Sequence, residues 1–263
     1  MTRRIKRHRD FELNLTIKDD AFLKTPRNAQ RNWFLNRTVR ELSEELLHLD
    51  TLTPAMVKGS DEVIELDRAS GSHADEDIME DWQIPVMKAM AEAVSFKDGE
   101  ILEIGMGRGV ASSLIQKHNP LTHTIIECNK TIAQTFDEWK KTYPDKNIQL
   151  IHSMWQDCLD RLGTYDGILF HTYPMSETEF VDTVVKDVTF AAHFFATAGK
   201  LLKPGGSLTY LTNEFDSLSR AHQRALFEHF SEFKLSLVED LDIPDSTRDA
   251  LWVRQMVIVK AVK

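Results

Sequence analysis

Two hydrophobic rhythms alternate along most of this chain. Apolar residues recur near a 3.6-residue period in 83–95, 109–118, 130–142, 177–199 and 216–229, which predicts helices. Between them stand short apolar, β-branched runs at 101–105, 123–127, 147–152, 165–170 and 206–212, which predict strands, and two more close the pattern at 232–239 and 251–262. Seven strands interleaved with helices imply an α/β fold built on a mainly parallel sheet, because parallel neighbours need crossover helices and those helices cover both faces. Only a short turn region separates the last two runs, so they are expected to pair antiparallel at a sheet edge.

Before residue 78 the pattern changes. Thr25 can cap a helix and Pro26 suits its first turn, and Trp33, Phe34, Val39, Leu42, Leu46, Leu47 and Leu49 follow at helical spacing. Residues 50–78, including Ser70-Gly71-Ser72-His73-Ala74-Asp75-Glu76-Asp77, are small and acidic and read as a loop or lid. The expected division is a partly helical N-terminal extension over 1–77 and a second unit over 78–263.

Composition narrows the class. With 263 residues, 42% apolar and 28% charged, the chain has ample material for a core, and its two cysteines, Cys128 and Cys158, cannot make a disulfide framework. A reducing cytoplasm is the expected setting. No apolar run reaches the roughly 18 residues of a membrane span, and the basic N-terminus lacks the apolar stretch of a secretory leader. The net charge of −9 conceals an asymmetry: residues 1–40 hold 11 Lys/Arg against 4 Asp/Glu (+7), and the remaining 223 hold 21 against 37 (−16). The run Arg3-Arg4-Ile5-Lys6-Arg7-His8-Arg9 has no interleaved aromatics for base stacking and reads as a solvated arm, a candidate cap or homodimer segment.

The sharpest chemical signal is Ile101-Leu102-Glu103-Ile104-Gly105-Met106-Gly107-Arg108-Gly109, an apolar strand running into spaced glycines and then a helix. Such glycines let the backbone turn tightly and approach a ligand. The next strand ends at Glu127, 22 residues after Gly105, where a carboxylate can accept from both hydroxyls of a ribose. Glu103, just before the glycines, would repel a pyrophosphate and attract an ammonium. An adenosyl ligand with positive charge and no phosphate satisfies both acids, so S-adenosylmethionine is the expected cofactor and S-adenosylhomocysteine the product. No Walker loop, zinc-type Cys/His spacing or Ser-centred elbow competes.

Several blocks now carry a family resemblance. Met79-Glu80-Asp81-Trp82-Gln83-Ile84-Pro85-Val86-Met87, the glycine strand, Ile125-Ile126-Glu127-Cys128-Asn129, Asp166-Gly167-Ile168-Leu169-Phe170-His171-Thr172-Tyr173-Pro174 with Ser176-Glu177, and Leu201-Leu202-Lys203-Pro204-Gly205-Gly206-Ser207-Leu208-Thr209-Tyr210 together resemble guanidinoacetate N-methyltransferase and its relatives across 78–212. The resemblance implies a Rossmann-like class I S-adenosylmethionine-dependent methyltransferase. It implies that Met79 and Met87 border the cofactor, that Met106, Gly107, Arg108, Gly109, Val110 and Ala111 form its glycine loop, and that Glu127, Cys128 and Asn129 hold the ribose and adenine edge. Trp155 and Gln156 match positions that flank the adenine. Two departures stand out: the carboxylates that grip guanidinium in the family are replaced here by Gln83 and His171, removing the charge pairing a planar cation requires. Guanidinoacetate is therefore disfavoured as substrate, while Trp82, Thr172 and Tyr173 still frame an acceptor pocket.

In-line transfer from a sulfonium gains most from holding donor carbon and acceptor lone pair at roughly 3–3.5 Å. His171, at the C-terminal end of the fourth strand and bordering both cofactor and acceptor, is the expected general base or acceptor-orienting group, its ordinary pKa of about 6.5 suiting the task. Gln83 is the expected hydrogen-bond partner of the acceptor. The first reading is a methyltransferase for a nitrogen of a small molecule; transfer to oxygen, carbon or a peptide end is the alternative. A nucleic-acid acceptor is disfavoured by the −16 body and by His171-Thr172-Tyr173-Pro174 where base methyltransferases carry Asp/Asn-Pro-Pro-aromatic. A non-catalytic cofactor-binding protein is the last option.

Overall fold

The computed structural model describes strands 2–7 and 11–16 and then residues 78–263, except 97, 176–178, 180–182, 184–186, 213, 215–216 and 244–254. The helical reading of 26–49 and the loop reading of 50–77 lie outside the described residues. At the N-terminus, β1 (Thr2–Arg7) pairs antiparallel with β2 (Phe11–Thr16), Ile5 opposite Leu13. The solvated arm expected there is thus strand-paired, in keeping with the period-two placement of Phe11, Leu13 and Leu15.

The main unit runs α1 (Ile84–Val94), β3 (Glu100–Ile104), α2 (Val110–Gln116), β4 (Thr122–Glu127), α3 (Lys130–Lys140), β5 (Ile148–His152), β6 (Tyr165–Phe170), α4 (Ala192–Leu201), β7 (Leu202–Tyr210), α5 (Arg220–Phe227), β8 (Glu232–Val238) and β9 (Met256–Val262). Seven strands form one sheet in the order β5-β4-β3-β6-β7-β9-β8. Pairings from β5 to β7 are parallel; β9 is antiparallel to both β7 and β8, so the antiparallel pair forms one edge of the sheet with β9 slotted inside β8. This is the Rossmann-like arrangement that the alternating rhythms imply.

Both faces are covered. Helix α1 starts with Pro85 in its first turn and buries Val86, Met87, Met90 and Val94, each large apolar side chain contributing roughly 1.5–3 kcal/mol on removal from water. It packs on β6, β7, β9 and α2. The fit is close: a side chain at Gly167 of β6 would meet the Val94 carbonyl oxygen at 1.9 Å. On the other face Phe194 and Phe195 of α4 enter a cluster with Phe170, Leu208 and Tyr210.

Two element boundaries differ from the sequence pattern. Within the stretch expected as one helix over 177–199, α4 spans Ala192–Leu201 and bends at 187–188 precede it; Glu179 and Thr183 are helical, and the residues around them lie outside the described ones. The Asp187 carboxylate caps the Val188 amide at 2.7 Å, and the β-branched Val188 and Thr189 disfavour continuing a helix. A 3₁₀ segment, Trp155–Arg161, follows β5 where no element was expected.

The parallel sheet reverses its winding between β3 and β6, with the chain passing to β4 on one side and to β7 on the other. Ligands of open α/β sheets sit outside the C-terminal ends of the strands at such a point.

Candidate functional site

At that switch point Gly105 N donates to Ile126 O at 2.9 Å and His171 N donates to Ile104 O at 3.0 Å, so the loops leaving β3 and β6 are tied to their neighbouring strands. Gly105 has φ +91°, and a Cβ there would meet His171 O at 2.1 Å; only glycine lets the two loops pass this closely. Gly109 closes the turn with φ +72° and starts α2.

A cavity of about 510 Å³ opens above this crossing. Its floor holds the glycine-loop residues Gly105, Met106, Gly107, Arg108, Val110 and Ala111. From β4 and the loop beyond come Glu127, Cys128 and Asn129, and from the end of β5 come Trp155 and Gln156. Met79, Trp82, Gln83 and Met87 close one side, and His171, Thr172 and Tyr173 another.

Glu127 is the hub of the cofactor end. Its Oε2 accepts from Met106 N at 2.9 Å and Gly107 N at 3.3 Å, and its Oε1 accepts from Asn129 N at 2.8 Å. A carboxylate has about four acceptor positions, so with three in use about one remains for a ribose hydroxyl while the same group clamps the glycine loop. Asn129 spends its side-chain oxygen capping α3, accepting from Thr131 N at 2.8 Å and Ile132 N at 3.0 Å. The Cys128 thiol is pushed up to about 11 by burial and then by the Glu127 charge, which keeps it neutral. Trp155 stands edge-on to Phe194 at 5.0 Å and to Phe170 at 6.3 Å, which fixes its plane at the cavity wall.

Two expected cofactor residues do not line the cavity. Glu103 is fully buried within the sheet, its Oε2 3.0 Å from His123 Nε2. The Gln116 side-chain amide lies 2.9 Å from His123 Nδ1, which holds the ring between α2 and the strand. The alternation of the strand turns this side chain to the α2 side, so it does not line the cavity. Gly109 serves as the left-handed start of α2 and lies outside the lining.

At the acceptor end the Gln83 side-chain oxygen accepts from Glu80 N at 3.0 Å, closing a short 3₁₀ turn, Asp81–Gln83. Trp82 Nε1 donates to Glu80 Oε2. Arg108 reaches out of the glycine loop, donating to Met79 O at 2.7 Å and pairing with Asp81 Oδ1 at 2.9 Å, which ties this segment over the loop. The His171 imidazole is pushed down to about 4 by burial, and its Nε2 lies 3.5 Å from the Tyr173 hydroxyl. It is neutral at pH 7 but too weak a base to take a proton from an ammonium, so the structure favours the orienting role over the general-base role. Glu80 and Glu179 also line the cavity, two carboxylates that sequence reasoning did not single out. Glu179 Oε2 accepts from Met175 N at 2.6 Å. Glu80 stands inside the Met79–Met87 block of the family resemblance, where it was given no role, and no quoted motif reaches Glu179.

The residues fit the expected cofactor. A glycine crossing that no Cβ can enter, an acid with one spare acceptor position at the end of β4 and an indole wall suit an adenosyl group. The one basic side chain of the glycine loop, Arg108, is turned to Asp81, which leaves no cradle for a phosphate. Sheet order and site together define a class I S-adenosylmethionine-dependent methyltransferase.

Comparison with known proteins refines that class. The family model of guanidinoacetate N-methyltransferase matches residues 69–246, and the chain belongs to that family. Among curated proteins it is similar to protein arginine N-methyltransferase 2 of Candida glabrata, 31% identical over 116 residues, 40% of this chain and 27% of that protein. The protein of the same name from Saccharomyces cerevisiae is 29% identical over 118 residues, 40% of this chain and 28% of that protein. The chain thus spans little more than a quarter of the length of these relatives. Among solved structures, precorrin-6y C5,15-methyltransferase from Geobacter metallireducens GS-15 superposes with a TM-score of 0.49 at 15% identity, covering 73% of this chain and 94% of that one. No described helix is long and apolar enough to cross a membrane.

Proposed function

We propose that this methyltransferase modifies a nitrogen atom of a small-molecule acceptor other than guanidinoacetate. The observation that carries the reading is the pair Gln83 and His171: both line the cavity beside the crossing of β3 and β6, and both are uncharged. A site lined this way receives a nitrogen that is already neutral, because neither side chain stabilises a cation as a carboxylate would. Bound S-adenosylmethionine supplies an electrophilic methyl group on a sulfonium. The chain's own part is positional: the glycine loop and Glu127 fix the donor end, His171 accepts an N–H from the acceptor and so aims its lone pair, and Trp82 and Tyr173 wall off water. The proton released after transfer goes to solvent, since an imidazole near 4 does not retain it. The curated relatives, arginine N-methyltransferases by name, support a nitrogen acceptor.

Those names also favour a second reading, an arginine nitrogen of a protein. The purified chain incubated with S-adenosylmethionine and, separately, a panel of small amines, imidazoles and guanidines or an arginine-rich peptide separates the two by mass spectrometry of the products. Methylated nitrogen on a small molecule is the expected result; oxygen methylation alone, or modification of the peptide alone, overturns it. With the true acceptor, His171→Ala is expected to lower kcat by about ten- to a hundredfold with the Kd for S-adenosylmethionine within about twofold. Unchanged kcat removes His171 from the mechanism.

A further inference from the structure

Strand β8 ends the sheet, and among the described residues nothing pairs with its outer side. Its seven residues run against β9 in one unbroken register from Glu232 to Val238, with no proline and no bulge to blunt the edge. Strand alternation puts Phe233, Leu235 and Leu237 on one face, and the Phe233 ring meets Phe227 of α5 with centroids 5.0 Å apart. That face stays open: Phe227 is 58% exposed, Leu235 45% and Leu237 43%, half of the six large apolar side chains exposed among the described residues. An edge backbone free to pair and an apolar stripe beside it form one surface at the rim of the sheet, away from the cavity lining.

The sequence of the strand says which partner fits. A two-fold axis perpendicular to the sheet sets β8 antiparallel to a second β8 and keeps each residue on its own face, so one residue of the strand must stand opposite itself. With Lys234 on the axis, two ammonium groups face each other. With Ser236 on the axis, Glu232 faces Asp240 and Phe233 faces Glu239. Like charges directly opposite are destabilising, which disfavours both registers. With Leu235 on the axis all seven residues pair: Phe233 meets Leu237, Leu235 meets Leu235, Lys234 meets Ser236 and Glu232 meets Val238. Lys234 keeps its ion pair to Glu232 of its own strand, at 3.4 Å. We propose that β8 is the interface of a homodimer, in which two copies pair antiparallel about an axis through Leu235 and join their sheets into one. The Phe227 and Phe233 rings of each copy then cover Leu237 of the other. This places the dimer contact at the C-terminal edge of the sheet and not in the N-terminal extension.

Sedimentation velocity of the full chain from about 1 to 300 μM is expected to show a monomer–dimer equilibrium with a Kd of about 1–100 μM, the strength suited to a small interface of one strand and a few side chains. Leu235→Lys puts two ammonium groups on the axis and should raise that Kd at least about tenfold, while an S-adenosylhomocysteine affinity within about twofold of the parent reports an intact fold. A second variant tests the register without adding charge. Directly opposite Cα atoms of antiparallel strands lie about 4.5–5.5 Å apart, within disulfide reach, so Leu235→Cys should form a covalent dimer on mild oxidation. Leu237→Cys, equally exposed but about four residues out of step with its own copy, should not, and the parent chain gives the background from Cys128 and Cys158. A monomer over the whole range, a dimer that Leu235→Lys leaves as tight, or Leu237→Cys cross-linking as well as Leu235→Cys overturns the proposal.

Discussion

At one end of the cavity β3 and β4 present mostly backbone and a single anchored acid: Gly105 with no room for a side chain, the Met106 and Gly107 amides, and Glu127 bonded to both. At the other end the segment 79–83 and the loop after β6 present side chains of mixed character, Gln83, His171, Tyr173, Glu80 and Glu179. The first end holds the glycine strand and Glu127 of the family resemblance, and the second holds Gln83 and His171, which depart from it. The difference teaches how a fold can fix one end of a cavity while the side chains of the other vary. Backbone geometry constrained by a crossing tolerates almost no substitution, whereas side chains on loops exchange charge for neutrality without disturbing the sheet.

The comparison is broken most severely by Gly105→Ala. The overlap with the His171 carbonyl joins the two ends, so the expected cost is at least ~3 kcal/mol in chemical denaturation, together with loss of S-adenosylmethionine binding. Next comes Glu127→Ala, which removes the acceptor for three backbone amides; if Glu127 also holds the cofactor ribose as proposed, calorimetry should show about a hundredfold loss of cofactor affinity.

A pH experiment separates the ends more gently. The His171 imidazole titrates near 6.5 when unfolded and about 4 when folded, so the unfolded chain binds the extra proton between those values. Stability is therefore full above about pH 6.5 and declines as pH falls toward 4, and His171→Asn should flatten that part of the unfolding profile. Cofactor binding by the variant should stay intact over the same range.

The smallest effect belongs to neither end. At the N-terminal ends of the strands, away from the cavity, burial works to raise the Asp166 pKa, but the Glu100 amide and the Lys203 ammonium outweigh it and leave the carboxyl below its ordinary 3.8. That contribution is present above about pH 4 and lost as pH falls through the lowered value. Lys203→Met should remove part of this acid dependence in thermal melts and leave methyl transfer untouched, since Lys203 is partly exposed and far from the cavity lining.

Much of this was legible in the chain. The alternation of two periods carries the sheet, and Gly105 with Glu127 marks the cofactor end, because those signals are local or regularly spaced. What was not legible depends on distance in sequence. Glu103 reads as a ligand acid until His123, on the neighbouring strand, is seen to face it. The His171 pKa is set by burial that no neighbour in sequence reveals. Glu80 and Glu179 become site residues only when two loops converge. The stretch 177–199 shows the limit of periodicity itself: Phe194, Phe195 and Ala198 keep a helical spacing in α4, but the Asp187 bend interrupts the run before Ala192.

Strand β9 carries a consequence for how the molecule is made. It lies inside the sheet, between β7 and β8, yet it follows both in chain order. While the ribosome is still extending the chain, β7 has an open edge and β8 has no partner, so the growing polypeptide must hold a gap until residues 256–262 emerge and are inserted. Completion of the sheet is thus a late, long-range event, and the stretch of synthesis before it is when the chain depends most on protection from edge-to-edge association.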